Sequence, residues 1–128
     1  MSYKRYEDLA EKQDEEKKLI ETSPHVLHIS SIEEKRHLIS RNKLSIVNIW
    51  GTWCGPCKSM AGPYAKLAEK YGKPGQIAFI KEDVTLGLSP NVKAVPVIQF
   101  YFQGRLVDEI IGPDIKGIEA KINELMTM

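Results

Sequence analysis

The sequence predicts an α/β domain: a central sheet with helices on both faces, parallel strand pairs early in the chain and an antiparallel hairpin late. Three observations carry this. The runs Leu44-Ser45-Ile46-Val47-Asn48-Ile49-Trp50 and Ile77-Ala78-Phe79-Ile80 are short, largely apolar and rich in β-branched residues, as strands buried on both faces are. Between them Tyr64, Leu67, Ala68 and Tyr71 recur at helical spacing. Near the end, Val95-Pro96-Val97-Ile98-Gln99-Phe100-Tyr101-Phe102 and Leu106-Val107-Asp108-Glu109-Ile110-Ile111 flank Gln103-Gly104-Arg105, the pattern of a β-hairpin.

The elements follow in order. Residues 1–21 are mostly Glu, Asp and Lys, and Asp8–Lys12 and Asp14–Lys18 stand at the i,i+4 spacing that supports a solvated helix. Tyr6, Leu9, Leu19 and Ile20 are too sparse for a continuous buried stripe. Residues 1–23 are therefore read as a charged N-terminal extension, a solvated helix or disordered, with a partner-docking helix as the alternative. Pro24 separates it from a domain over residues 24–128. Val26-Leu27-His28-Ile29 is a short strand. Ser31 with Glu34 three residues later fits a capping box opening a helix that carries Leu38 and Ile39. Gly72-Lys73-Pro74-Gly75 stops the second helix. A further helix is allowed for between the strand at 77–80 and the hairpin. A last helix starts near Asp114, with Ile115, Ile118, Ile122 and Leu125 on one face. Helices alternating with buried strands imply a sheet covered on both sides.

A chain of 128 residues with 42% hydrophobic content fits one domain with one sizeable core. The net charge of +1 gives no electrostatic reason to expect nucleic acid or an anionic membrane as partner. No apolar run approaches the roughly 20 residues of a membrane span. The charged first residues contain no apolar h-region of a secretory signal, so a cytoplasmic or other reducing location is expected.

The two cysteines stand three apart in Trp53-Cys54-Gly55-Pro56-Cys57. A secreted disulfide scaffold needs more of them, spaced to staple distant segments. A bridge across two residues closes a very small loop and adds little stability by the chain-entropy account. A structural zinc site takes about four ligands. His25, His28 and His37 all lie well upstream, and none pairs with the cysteines at ligand spacing. The pair therefore points to chemistry, with no metal.

A Cys-x-x-Cys that follows a buried strand and opens a helix is a specific redox signal. Thiol–disulfide exchange needs a thiolate. A helix N-terminus offers unpaired N–H groups and a partial positive charge, and there a cysteine can be drawn from about 8.5 to roughly 7. Cys54, just before the helix, is expected to be the exposed attacking thiol. Cys57, one turn on, is expected to resolve the mixed disulfide. Gly55 allows close approach of substrate, Pro56 fixes φ where its missing N–H costs nothing, and Lys58 adds a cation nearby. Pro96 has two readings: a strand-edge proline, or a cis peptide after Val95 facing the dithiol.

Together, Trp53-Cys54-Gly55-Pro56-Cys57-Lys58, the strand ending in Trp50, Val95-Pro96 before a strand, Gly104 at a hairpin turn and Gly112 before the last helix resemble the thioredoxin family. The likeness runs from about Val26 to Leu125. It implies the thioredoxin fold, a central mixed sheet flanked by helices. It implies a cis Pro96 packed against the dithiol, with Trp53, Gly55, Pro56, Val95, Pro96 and Gly112 gripping an extended substrate segment. It also implies a monomeric protein-disulfide reductase whose only redox centre is the Cys54/Cys57 pair. No other cofactor is expected. Its partners would be disulfide-containing proteins and, as electron donor, a thioredoxin reductase. The Gly-Pro between the cysteines resembles the reducing members, whereas isomerases and oxidases of this fold usually carry a His there.

The sequence departs from the pattern at several points. Asn48 holds the position where the family usually has a buried Asp that helps deprotonate the second cysteine, near a Lys matching Lys81. An amide cannot exchange a proton at neutral pH, so slower resolution by Cys57 is expected. Lys81 would lack its usual carboxylate unless Glu82 or Asp83 turns toward it. The family's helix-kinking proline is displaced: Gly62 stands at its place and Pro63 follows. Val97 replaces a usual Thr. Two other functions stay open at this point: a thioredoxin-like interaction module with weak redox activity, and a disulfide isomerase or oxidase.

Overall fold

A computed structural model describes residues 23–128. The charged extension falls almost wholly outside the described residues. Strand β1 (Val26–Ile29) leads into helix α1 (Ile32–Arg41), strand β2 (Leu44–Trp50), helix α2 (Gly55–Tyr71), strand β3 (Ile77–Asp83), the hairpin of β4 (Val97–Phe102) and β5 (Arg105–Ile111), and helix α3 (Ile115–Met126). The strands lie in the order β1-β3-β2-β4-β5. β1, β3 and β2 run parallel, while β4 is antiparallel to both β2 and β5. This is the mixed sheet flanked by helices that the sequence implies.

β2 and β3 occupy the middle and are buried along nearly their whole length. The period of two along each strand divides the core between the faces. Leu44 and Ile46 of β2, Ile77 and Phe79 of β3, and Ile98 and Phe100 of β4 pack with Met60, Tyr64 and Leu67 of α2 and Ile118, Ile122 and Leu125 of α3. Val47, Ile49, Ala78, Ile80 and Val97 face the other way, against Leu38 of α1 and Leu88, Val92 and Val95 of the segment before β4. One face thus carries two helices and the other carries one.

Local chemistry sets the element ends, and four details differ from expectation. The Ser31 hydroxyl caps α1 by accepting from the Glu34 N–H at 3.2 Å. The returning arm of the capping box reaches one residue further: the Glu34 carboxylate accepts from the Ser30 N–H at 3.2 Å and the Ser30 hydroxyl at 3.0 Å. The hairpin turn has two residues, Gln103 (φ 52°) and Gly104 (φ 83°), with Arg105 already paired to Phe102. Positive φ at both central positions matches the right-handed twist of the flanking strands. β3 continues through Lys81, Glu82 and Asp83, beyond its apolar run. The helix allowed for between β3 and the hairpin is only a single 3₁₀ turn, Val84–Leu86, because Gly87 leaves it in the left-handed region (φ 72°) and Pro90 follows. α2 runs unbroken through Gly62 and Pro63. Asp114 caps α3, its carboxylate accepting from the Gly117 N–H at 2.9 Å.

Candidate active site

The parallel strands β2 and β3 end on the same side of the sheet, and α2 begins there. Cys54 is its N-cap residue, in extended conformation, and its sulfur accepts from the Cys57 N–H at 3.1 Å. That N–H is one of the donors a helix start leaves without an intrahelical partner, and here it points at the sulfur where negative charge collects. Pro56, in the first turn, has no N–H to leave unpaired. Cys54 and Cys57 are joined as a disulfide, with their Cα atoms 5.2 Å apart.

The expectation of an exposed Cys54 is corrected. Cys54 is only 6% exposed and Cys57 2%. Cys54, and not Cys57, lines the cavity beside the site, which favours it as the residue an incoming disulfide reaches. The indole of Trp53 stands beside it, 64% exposed. On the opposite wall, the Cys54 sulfur lies 3.6 Å from the Val95 carbonyl oxygen. The Val95–Pro96 bond is cis. Gly112, at φ 101°, donates its N–H to the Pro96 carbonyl at 2.9 Å, which ties the end of β5 to the proline. Trp53, Cys54, Gly55, Pro56 and Val95 share one shallow cavity of about 370 Å³, which Pro96 and Gly112 do not line. Val84, Val92, Lys93 and Ala94 also line it. Sequence reasoning missed these four, since nothing in their spacing marks them.

Asn48 is fully buried, and neither of its amide atoms has a hydrogen-bond partner among the described residues. In register it stands between Lys81 on β3 and Ile98 on β4. By alternation it shares the face of Leu44 and Ile46, the one α2 covers. The Lys81 ammonium lies 4.3 Å from the centre of the Trp50 ring. Glu82 does not turn toward it. Successive side chains along a strand point to opposite faces, and the Glu82 carboxylate pairs with the Lys35 ammonium at 2.6 Å and accepts from the Ser89 hydroxyl at 2.6 Å on the α1 side. The Asp83 carboxylate accepts from the Thr85 N–H and hydroxyl at 2.9 and 2.7 Å.

Beneath the site, the Tyr64 hydroxyl is fully buried and lies 2.9 Å from the Ile80 carbonyl and 3.1 Å from that of Ile46. Burial pushes its pKa far above the ordinary phenol value, so it acts as a fixed donor holding α2 to the two central strands. Among the described residues no group of His, Cys, Asp and Glu side chains could hold a metal ion, and no helix is long and apolar enough to cross a membrane.

The sequence model of the thioredoxin family matches residues 25–124. Thioredoxin of Coprinus comatus is 32% identical over 100 residues, covering 75% of this chain and 93% of that protein. Human thioredoxin is 36% identical over 89 residues, covering 66% of this chain and 82% of its own length. Among solved structures, oxidised mitochondrial thioredoxin 3 of Saccharomyces cerevisiae superposes with a TM-score of 0.69 at 30% identity, covering 78% of this chain and 95% of that one.

Proposed function

The chain belongs to the thioredoxin family, and from that premise we propose how its own residues divide the work of reducing protein disulfides. The activity is dithiol–disulfide exchange at Cys54 and Cys57. The Cys54 thiolate attacks one sulfur of the substrate disulfide. That bond breaks, the second substrate sulfur leaves as a thiolate, and a mixed disulfide joins Cys54 to the substrate. The Cys57 thiolate then attacks the Cys54 sulfur and releases the remaining substrate thiolate. The substrate has gained two electrons, and the chain is left with the Cys54–Cys57 disulfide. The single observation that carries this assignment is the Cys57 N–H directed at the Cys54 sulfur from the first turn of α2. A thiolate formed there is met by a hydrogen-bond donor and the positive end of the helix.

Trp53, Val95 and Gly112, with Gly55, Pro56 and Pro96, form the surface that holds an extended substrate segment against Cys54. Their support is the shared cavity and the Gly112–Pro96 hydrogen bond. Asn48 and Lys81 act from beneath. With an amide where a carboxylate would take the Cys57 proton, resolution is the slower half of the cycle. The dithiol is the redox centre, without a further cofactor. A flavin-dependent thioredoxin reductase restores it, which fits a cytoplasmic, reducing location, and the chain works as a monomer.

Dithiothreitol-driven reduction of insulin disulfides tests the assignment. The native chain is expected to turn over and the Cys54→Ser variant to fall to the background rate. A folded native chain without turnover would instead favour the interaction-module reading.

A further inference from the structure

A cavity of about 890 Å³, larger than the one at the dithiol, lies away from it. It lies on the α1 side of the sheet, over β4 and β5. The β3–β4 connection supplies only a single 3₁₀ turn, so α1 is the one helix on this face. Val97, Gln99 and Tyr101 of β4 face it, as do Leu106, Glu109 and Ile111 of β5. A register shift opposite Phe100/Tyr101 sets Leu106 across from Tyr101 and so brings it to this face. Leu106 is 48% and Ile111 77% exposed.

Two features set this groove apart from a mere gap in the packing. Its floor is fixed by polar bonds. Tyr101 donates to Gln99 at 2.9 Å, and Gln99 donates to Glu109 at 3.0 Å. Behind them the Lys35 ammonium holds both Glu82, at 2.6 Å, and Ser89, at 3.2 Å, which pins the segment after the 3₁₀ turn. The groove also adjoins the dithiol cleft: Val92, Lys93 and Ala94 line both. Ile111, next to Gly112 in the chain and paired with Val97, lines the groove at the end of β5. From there the groove follows β5 for seven residues, a length of about 20 Å at ~3.3 Å per residue.

We propose that this groove is the specificity subsite of the reductase: it holds an extended segment of the substrate protein, next to the disulfide being reduced, whose apolar side chains at alternate positions cover Ile111 and Leu106. The inference rests on the reductase reading and adds the substrate class to it. Substrates with such a segment are held while Cys54 attacks. Those without it react through the cleft alone.

The test uses the full chain and two synthetic peptide disulfides. One has only Gly and Ser around the cystine. The other carries a Val-Thr-Val-Thr-Leu extension, placed in turn on each side. The extended peptide is expected to show a kcat/KM about tenfold higher than the short one, mostly through KM, as for apolar side chains entering a hydrophobic site. The double variant Leu106→Glu, Ile111→Glu is expected to lose that advantage, with reduction of the short peptide reporting that the dithiol is intact. Equal rates for both peptides in the native chain would overturn the subsite and leave the reductase assignment standing. An advantage that survives in the double variant would overturn it too, by placing the extension elsewhere. A native chain that shows no advantage and sediments as a dimer, with the double variant monomeric, would give the groove to a second copy of the chain. Failure to reduce either peptide would defeat the reductase reading itself.

Discussion

On the side of the sheet under α2 and α3, Phe79, Phe100, Tyr64, Ile118 and Ile122 close over the strands with almost no exposure. On the side under α1, a buried Lys35–Glu82 pair and a Gln99–Glu109 bond sit beside the partly buried Tyr101, and a groove remains open. The difference follows from helix count. Two helices cover a sheet of this width and one does not, so the second face must satisfy its buried polar groups internally and leave its outer strands to whatever binds them. The dithiol sits at the end of the sheet where the two faces meet. It draws rigidity from the first and access from the second.

The packed face should be the more costly to damage. Phe100→Ala leaves a cavity in a region that cannot collapse and is expected to lose about 4 kcal/mol in urea unfolding. A loss under 1 kcal/mol would mean that face is not the stable half. On the polar face, Lys35→Met leaves the buried Glu82 carboxylate without its cation and is expected to cost about 3 kcal/mol. Adding Glu82→Leu should restore most of that loss, since a well-packed apolar pair commonly matches a buried ion pair. A double variant no better than the single would show that the pair contributes net stability. Asn48→Asp acts on rate rather than on packing. Insulin turnover is expected to rise several-fold, because a carboxylate beside Lys81 can take the Cys57 proton, and an unchanged rate would remove Asn48 from the account. The smallest effect belongs to the clasp between α2 and α3, where the Glu119 carboxylate accepts from the Tyr71 hydroxyl and pairs with Lys70. These bonds, Tyr71 first and Lys70 second, hold the Glu119 pKa below its ordinary value. Its contribution is therefore present above the unfolded carboxylate pKa and is lost as pH falls through the depressed folded value. Glu119→Gln should lower stability slightly at neutral pH, leave it unchanged at acid pH and so flatten that acid limb in denaturant titrations at several pH values.

The sequence made the dithiol and the central strands legible because both are written locally. Cys54 and Cys57 are one helical turn apart, and the runs at 44–50 and 77–80 carry their burial in their composition. The residues around Pro96 leave cis and trans open, and only the family resemblance implies the cis bond that the structure has, because the contact at this place, Val95 with Cys54, spans 41 residues. The Lys35–Glu82–Ser89 cluster was illegible for the same reason: each residue reads as a solvated polar group until α1, β3 and the following segment are brought together. Glu82 did carry a faint signal, a charge two residues past an apolar run.

The central claim, attack by Cys54 and resolution by Cys57, is tested most directly by trapping the mixed disulfide. The Cys57→Ser variant is mixed with a peptide disulfide and examined by mass spectrometry, with Cys54→Ser in parallel. The account predicts a stable one-to-one adduct on Cys54 in the first variant and none in the second. Adducts of equal yield in both, or an adduct only on Cys57 in the second, would contradict it.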